Sequence, residues 1–420
     1  MRTIYNSLVL LTLFFITQPV VSQYLAPTQK GFTRQDTLRG SITPERAWWD
    51  LTYYHLDIAV KPSDSTIYGT NTVIYKVIKS ADVMQIDLQP PLELLKAEQS
   101  GKSLGFSREG NVYWIRMTEN QEPGKIYSVV LSYGGKPKVS RRPPWEGGIT
   151  WKYDKNNLPF VASSCQGDGA SLWWPCKDHM YDEPDSMLIS VNVPSNLMDV
   201  SNGRLLSVIR LKNNTTTWNW FVANPINNYG VNINIGNYAH FSEIFNGEKG
   251  KLTCDYYVLK ENLEKARIHF KQAPMMLSAF EYWFGPYPFY EDGYKLVEAP
   301  YLGMEHQSSI TYGNGYQNGY LGVDQSGSGW GDKFDFIIIH ESGHEWFANS
   351  ITYEDIADMW IHESFINYSE NLYVEYYYGK DAGAEYAVGT RRNIRNDRPV
   401  TGNYNVNTSG SGDMYSKGGN

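Results

Sequence analysis

The spacing of the apolar residues changes near residue 258, and this change limits the chain to folds that join a β-rich region to a helical one. Before it, apolar residues alternate in short runs such as "HLDIAV" and "VNINIG", which predicts strands. After it, Leu263, Ala266 and Phe270 follow one another at helical intervals, which predicts helix. Strands are expected from residue 24 to about 255, and helices beyond.

The length of 420 residues suits two domains rather than one. We place the all-β N-terminal domain at residues 23–257 and the helical domain at residues 258–420. Further helices are predicted for residues 333–350 and 359–378, with a Gly-rich loop at residues 312–332 directly before the first of them. The net charge is −8 and no block of basic residues occurs, which argues against nucleic acid and anionic membrane surfaces as partners.

The first 22 residues have the pattern of a signal peptide. Arg2 precedes an apolar run at residues 8–16, and Val20 and Ser22 are the small residues expected before a cleavage site. The run is too short to span a bilayer, so no transmembrane segment is predicted there. The alternative is a buried N-terminal helix. We expect an exported protein, either periplasmic or extracellular.

Three cysteines are too few to form the disulfide framework of a small exported domain. Cys165, Cys176 and Cys254 are an odd and widely spaced set. A bridge between Cys165 and Cys176 is one possibility. Buried free thiols are the alternative that we favour.

Two histidines four residues apart predict a metal site in the helical region. In "HESGH", His340 and His344 share one face of a helix, at a spacing that suits a tetrahedral metal. Glu341 lies one position round from His340, where its carboxylate serves as a base toward water rather than as a ligand. A third ligand is needed, and Glu363 follows His344 after 18 intervening residues.

Glu363 is preferred to its neighbour His362 because one helix can direct only one of these two side chains at the metal. The alternative reading of the whole segment is a buried amphipathic helix with incidental histidines. The presence of Glu363 at a suitable distance along the chain favours the metal site.

Together with other motifs in the chain, this pattern resembles the gluzincin aminopeptidases, which include aminopeptidase N and leukotriene hydrolase. The resemblance rests on "WWPCKDHMYDEPDS", "YLGMEHQSSITYG", "HESGHEWFANSIT", "WIHESFINYSENLY" and "MYSKGG". It implies a multidomain protein in which a saddle-shaped all-β domain precedes an α-rich (α+β), thermolysin-like zinc catalytic domain. It also implies that this catalytic domain is incomplete at Asn420, because family members continue beyond this motif.

The segment "LGMEH" resembles the Gly-x-Met-Glu-Asn strand of the family, which lies beside the zinc. The resemblance implies that Gly303 and Met304 pair with the peptide backbone and that Glu305 binds the free α-amine of the substrate. A carboxylate next to an ammonium forms a strong charge-assisted hydrogen bond. Leu302 and His306 depart from the family pattern at the two ends of the segment.

Two further residues receive roles from the resemblance. Gln166, in "ASSCQGDGAS", matches a second contact for the substrate amine, and its amide oxygen would accept from the ammonium. Tyr415, in "MYSKGG", matches the tyrosine whose hydroxyl stabilises the tetrahedral intermediate.

These residues predict a zinc-dependent aminopeptidase that binds one Zn²⁺ per chain and removes N-terminal residues from peptides with a free N-terminus. A zinc endopeptidase or an epoxide-opening enzyme on the same site is the nearest alternative, and Glu305 argues against the endopeptidase. An exported binding protein with an inactive zinc fold is a second alternative. It is disfavoured because each catalytic position of the family is occupied by a suitable residue.

Overall fold

The computed structural model describes residues 31–407, 409 and 413–420. The predicted signal peptide lies outside the described residues. The strands are β1 (Trp49–Lys61), β2 (Thr66–Val77), β3 (Val83–Asp87), β4 (Glu93–Gln99), β5 (Lys102–Ser103), β6 (Gly105–Glu109), β7 (Val112–Arg116), β8 (Ile126–Gly135), β9 (Gly148–Tyr153), β10 (Pro159–Ser164), β11 (Ser186–Pro194), β12 (Met198–Ser201), β13 (Arg204–Arg210), β14 (Thr215–Val222), β15 (Ile233–Gly236), β16 (Tyr238–Gly247), β17 (Gly250–Leu259), β18 (Tyr294–Glu298), β19 (Gly303–Met304) and β20 (Ile310–Tyr312). The helices are α1 (Arg34–Gly40), α2 (Pro44–Ala47), α3 (Leu263–His269), α4 (Gln272–Phe284), α5 (Phe336–Gly343), α6 (Trp360–Tyr378), α7 (Lys380–Thr390) and α8 (Asp413–Ser416).

The N-terminal region is built on an eight-stranded sheet with the strand order β13-β14-β11-β1-β2-β8-β4-β5. Its neighbours are a four-stranded sheet, β12-β15-β10-β9, and a three-stranded sheet, β3-β7-β6. The alternation that predicted β1 is confirmed, since Leu56, Ile58 and Val60 are all buried on one face. The predicted order, an all-β region before a helical one, is therefore confirmed.

Two short helices precede β1, where the sequence was expected to form strands. Helix α1 begins after Thr33, whose hydroxyl accepts from the backbone of Asp36, while the carboxylate of Asp36 accepts from the backbone of Thr33. This reciprocal capping box satisfies two of the free donors at the helix start. Helix α2 has Pro44 at its first position, where the missing N–H of proline costs nothing.

A five-stranded sheet with the order β16-β17-β18-β20-β19 packs with the helical region. The hairpin β16–β17 joins this sheet through parallel pairing of β17 with β18. Its buried residues Leu252 and Cys254 belong to the same hydrophobic core as Phe280 and Ile338, on α4 and α5. The sheet thus lies on both sides of the predicted boundary at residues 257 and 258, and the division into domains stays a prediction.

The helix predicted from the spacing of Leu263, Ala266 and Phe270 is interrupted. It divides into α3 and α4, with Phe270 and Lys271 between them, and α4 ends at Gly285, where φ is +85°. The predicted helix at residues 333–350 is shorter than expected, because α5 ends at Gly343 and gives way to an irregular turn at Glu345–Ser350. Helix α6 ends before Gly379, where φ is +93°, as a C-terminal glycine favours.

The three cysteines are buried free thiols, which was the favoured alternative. Within the described part of the chain, no helix is long and apolar enough to cross a membrane.

Candidate active site

Helix α5 carries His340 and is followed directly by His344, the second predicted histidine ligand, and its start is tied to the five-stranded sheet. The carboxylate of Asp335 caps the helix by accepting from the backbone N–H groups of Ile337 and Ile338. The same carboxylate accepts from the hydroxyl of Tyr312, on β20, at 2.8 Å. Since Asp335 is fully buried, these bonds fix where α5 begins relative to the sheet.

His340, His344 and Glu363 direct their polar atoms at one point. Oε2 of Glu363 lies 3.7 Å from Nε2 of His340 and 3.6 Å from Nε2 of His344. All three side chains are buried. A tetrahedral zinc with bonds of about 2.0–2.2 Å separates its ligand atoms by roughly 3.3–3.6 Å. Two imidazoles and one carboxylate at this spacing therefore fit a zinc ion.

The outer nitrogen of each histidine is already engaged. Nδ1 of His340 lies 2.8 Å from Oε1 of Glu370, and Nδ1 of His344 lies 3.0 Å from the backbone oxygen of Phe347. Both acceptors require a proton on Nδ1, so each ring in its neutral form keeps the lone pair of Nε2 for a metal. The irregular turn after α5 presents the Phe347 carbonyl, since the backbone at Phe347 and Ala348 leaves the helical conformation.

His362, the neighbour of Glu363, is bound elsewhere. Its ring stacks on Tyr353 with 4.1 Å between ring centroids, and its Nε2 accepts from the backbone N–H of Tyr353. The geometry thus places Glu363, and not His362, with the two histidines.

Burial, together with the neighbouring charges, shifts the pKa values of the groups in the site. Burial opposes protonation of His340, but hydrogen bonds with Glu363 and Glu370 raise its pKa well above the ordinary value. Burial lowers the pKa of His344 to about 4, although Glu363 opposes this shift. Burial also raises the pKa of Glu341 to about 7, against the opposing effect of His340. Glu341 lines the cleft beside the three donors without belonging to their group.

Strand β19 is the edge strand of the five-stranded sheet and runs against α5. A β carbon at Gly303 would lie 2.6 Å from the side chain of Ile337 and 3.1 Å from that of Glu341. Only glycine therefore allows the strand to approach the helix this closely. Met304, the other residue of β19, is buried and also lines the cleft.

Glu305 follows β19 and is almost completely buried, with 3% of its surface exposed. Its backbone oxygen accepts from the side-chain amide of Asn349 at 2.9 Å. Burial and the charges of Glu363 and Glu341 raise the pKa of Glu305 well above its ordinary value. A cation bound beside Glu305 would offset the repulsion among these three carboxylates. Asn349 belongs to the "WFAN" sequence after the second histidine, which explains how that sequence supports the site.

Gln166 reaches the site from the loop after β10, in the N-terminal region. Its amide nitrogen donates to Oε1 of Glu305 at 2.5 Å and to Oε1 of Glu363 at 2.9 Å. Because Oε2 of Glu363 faces the histidines, Gln166 binds the oxygen that a metal would leave free. The sequence predicted that the amide oxygen would face the site, but the structure turns the amide nitrogen toward the two carboxylates.

Tyr415 also lies in the site, on the short helix α8. Burial and the charges of Glu363 and Glu305 raise the pKa of its hydroxyl well above the ordinary value. The hydroxyl thus remains a hydrogen-bond donor near neutral pH.

The site lies in a cleft of about 610 Å³. All nine residues predicted for the site line it: Gln166, Gly303, Met304, Glu305, His340, Glu341, His344, Glu363 and Tyr415. The structure brings them together, and their individual roles stay predictions. Other lining residues were not predicted, and they include Trp145, Leu302, Tyr320, Phe336, Glu370 and Arg395. Most lie in loops, for which spacing along the sequence gives no signal.

Comparison with known proteins agrees with this fold. Residues 269–409 match the family model described as "Peptidase family M1 domain". Endoplasmic reticulum aminopeptidase 1 of Mus musculus is 21% identical over 274 residues, which is 61% of this chain and 28% of that protein. Leucyl aminopeptidase of Saccharolobus solfataricus is 24% identical over 283 residues, or 66% of this chain and 33% of that protein. The chain thus spans about a third or less of the length of these curated relatives.

Solved structures show the same fold. The M1 zinc metallopeptidase of Deinococcus radiodurans has a TM-score of 0.71 at 19% identity, covering 89% of this chain and 81% of that one. Native yeast LTA4 hydrolase has a TM-score of 0.70 at 18% identity, covering 89% of this chain and 58% of that one. The chain therefore shares the fold of these metallopeptidases. Residues 269–409 resemble a peptidase family M1 domain, and the predicted resemblance to the gluzincin aminopeptidases is confirmed.

Proposed function

We propose that the protein is a zinc-dependent aminopeptidase that removes N-terminal residues from peptides. The observation that carries this proposal is the position of a buried carboxylate, Glu305, beside the three-residue donor group. Donor atoms of Glu305, Glu341 and His344 lie within 4.8 Å of one another. A peptide bond close to the metal donors would therefore have its α-amine near Glu305.

His340, His344 and Glu363 would hold the zinc ion, about one per chain. When bound, zinc supplies Lewis acidity, which makes water more acidic and polarises a carbonyl oxygen. Glu341 takes a proton on its carboxylate from the water that attacks the scissile carbonyl. It then gives a proton to the nitrogen of the leaving amine, as a general base that becomes a general acid.

The remaining residues bind and orient the peptide. The hydroxyl of Tyr415 donates a hydrogen bond to the oxygen that becomes negative during the attack. Glu305 accepts from the substrate ammonium, and Gln166 supports the same end of the peptide. The backbone of Gly303 and Met304, at the sheet edge, pairs with the peptide as an added strand.

The known proteins support this reading. The curated relatives that resemble the chain are aminopeptidases, and a variant of the Deinococcus radiodurans metallopeptidase was solved bound to the tripeptide Tyr-Ser-Ala. That structure has a TM-score of 0.71 with this chain. The epoxide-opening alternative stays open, because one solved structure with this fold is named as an LTA4 hydrolase and not as a peptidase.

The test is hydrolysis of a panel of aminoacyl amides and short peptides, each paired with an N-acetylated copy. We expect cleavage of the free-amine substrates, loss of cleavage after chelation, and recovery with added Zn²⁺. Equal cleavage of acetylated peptides at internal bonds would favour the endopeptidase. Zinc binding without cleavage of any substrate would favour the binding protein.

We also propose that the protein is exported, as its first 22 residues suggest. N-terminal sequencing of the protein recovered outside the cytoplasm should begin at Gln23. A protein that keeps Met1 and stays in the cytoplasm would contradict this proposal.

A further inference from the structure

A buried glutamate to which the sequence motifs gave no role lies directly behind one of the metal donors. Glu370 is on α6, seven residues after Glu363, so both carboxylates lie on one face of the helix two turns apart. It is 1% exposed, and its Oε1 lies 2.8 Å from Nδ1 of His340. On its other side, Oε2 of Glu370 accepts from the hydroxyl of Tyr386, on α7, at 2.8 Å.

These contacts form a chain from α7 through α6 to α5. Tyr386 is 1% exposed, so bulk water cannot replace Glu370 as the hydrogen-bond acceptor of its hydroxyl. The ring of His340 is also restrained by Phe336, which stacks on it with 5.0 Å between centroids and 18° between planes. The orientation of His340 is therefore determined on one side by packing and on the other by a charge-assisted hydrogen bond.

The two histidines differ in what holds them. Nδ1 of His344 faces a neutral backbone oxygen, that of Phe347, whereas Nδ1 of His340 faces a carboxylate. An ionised acceptor fixes the Nδ1–H tautomer more strongly and makes Nε2 a better electron donor. His340 should therefore depend on its supporting residue more than His344 does.

We propose that Glu370 and Tyr386 are positioning residues for the metal. Glu370 fixes the tautomer and ring orientation of His340, and Tyr386 fixes Glu370. This inference rests on the proposed zinc site, but it concerns affinity for the metal and does not depend on which substrate is cleaved.

A purely structural role is the alternative, because a buried hydrogen-bond network also stabilises the packing of three helices. The two roles differ in what conservative variants do. Gln at position 370 keeps an oxygen that accepts from His340 but loses the charge, whereas Ala loses both. A positioning role predicts a graded effect on metal binding, and a structural role predicts an effect on folding only.

The experiment measures Zn²⁺ affinity by competition with a chromophoric chelator, for the purified protein and four variants. The variants are Glu370→Gln, Glu370→Ala, Tyr386→Phe and, as a matched control, Glu298→Gln. Glu298 is a buried glutamate whose carboxylate accepts from Leu259 and Asn262, away from the donor group. The thermal unfolding temperature of each metal-free protein checks folding. The visible spectrum of the Co²⁺-loaded forms reports the ligand geometry.

We expect Glu370→Ala to weaken Zn²⁺ binding by about 10- to 100-fold and to change the Co²⁺ spectrum. Glu370→Gln and Tyr386→Phe should weaken binding less, and Glu298→Gln should leave it unchanged. The proposal would be overturned if Glu370→Gln and Tyr386→Phe bound Zn²⁺ as tightly as the wild type. It would also be overturned if both variants lost as much Zn²⁺ affinity as the control Glu298→Gln. If no protein binds Zn²⁺, including the wild type, the proposed function fails as well, which distinguishes the two failures.

Discussion

The side-chain amide of Gln166 donates to the carboxylate of Glu305 across a distance of 2.5 Å, and so links the N-terminal β region to the proposed amine site. The same amide nitrogen donates to Glu363 at 2.9 Å. A substrate ammonium that binds Glu305 must therefore compete with this amide or turn it. Turning the amide would point its oxygen at the ammonium, which is the contact predicted from the sequence.

Gln166→Ala should lower kcat/KM for free-amine substrates by about tenfold and leave the acetylated copies unaffected. The expected size is that of one hydrogen bond between a neutral and a charged group, about 1.5 kcal/mol. Steady-state kinetics on both members of each substrate pair checks it. Equal losses on both members would mean that Gln166 only supports Glu363 and the metal.

Glu341→Gln should retain zinc and lose turnover by about 10²- to 10⁴-fold, since an amide cannot accept the proton of the attacking water. Metal content and kcat are measured on the same preparation, so that loss of the metal is not mistaken for loss of the base. Turnover within about tenfold of the wild type would contradict the role of Glu341.

His344→Ala should lose most of the bound zinc, because one of three protein ligands is removed. Elemental analysis should give about one zinc per chain for the wild type. The control is His240→Ala, since His240 is exposed and pairs with Asp255, away from the cleft. Undiminished zinc in His344→Ala would show that the donor group is misassigned.

His179 should make stability fall at acidic pH. Nε2 of this buried histidine donates to the backbone oxygen of Gly40, and Nδ1 accepts from the backbone N–H of Tyr181. The ring is therefore neutral when folded. Burial, together with the charge of Arg46, lowers the pKa of His179 from 6.5 to about 4.

Between these two pKa values the unfolded chain binds a proton that the folded protein does not, so stability decreases as pH falls from about 6.5 toward 4. From pH 7.5 to 5, His179 alone should remove about 2 kcal/mol of the free energy of unfolding. Denaturant unfolding of the wild type and of His179→Gln at both pH values measures this. The same pH dependence in both proteins would refute the assignment.

Local sequence patterns predicted much of the fold and the site. The spacing of His340 and His344 reflects one helical turn. Glu363 joins them because it lies on a second helix that packs beside the first. The predicted motifs lie together because each sits on a regular element or directly beside one. The capping box at Thr33 and Asp36 is likewise a local signal, and it marks the start of α1.

Other features depend on how elements pack and have no local signal. Glu370 supports His340 only because α6 lies against α5, and Tyr386 reaches Glu370 only because α7 folds back on α6. The orientation of the Gln166 amide depends on two carboxylates that are distant along the chain. Likewise, Trp145 and Arg395 reach the cleft from loops, whose paths the spacing of apolar residues does not specify.

The central claim is that Glu305 makes this site specific for a free N-terminus. The most direct measurement compares kcat/KM for an aminoacyl substrate and its acetylated copy on the wild type and on Glu305→Ala. The control is Glu298→Ala, a buried glutamate on β18 of the same sheet. The account predicts that Glu305→Ala loses roughly 2–5 kcal/mol of transition-state stabilisation, about 30- to several-thousand-fold, on the free-amine substrate alone. Equal losses on both substrates, or efficient cleavage of the acetylated substrate by the wild type, would contradict it.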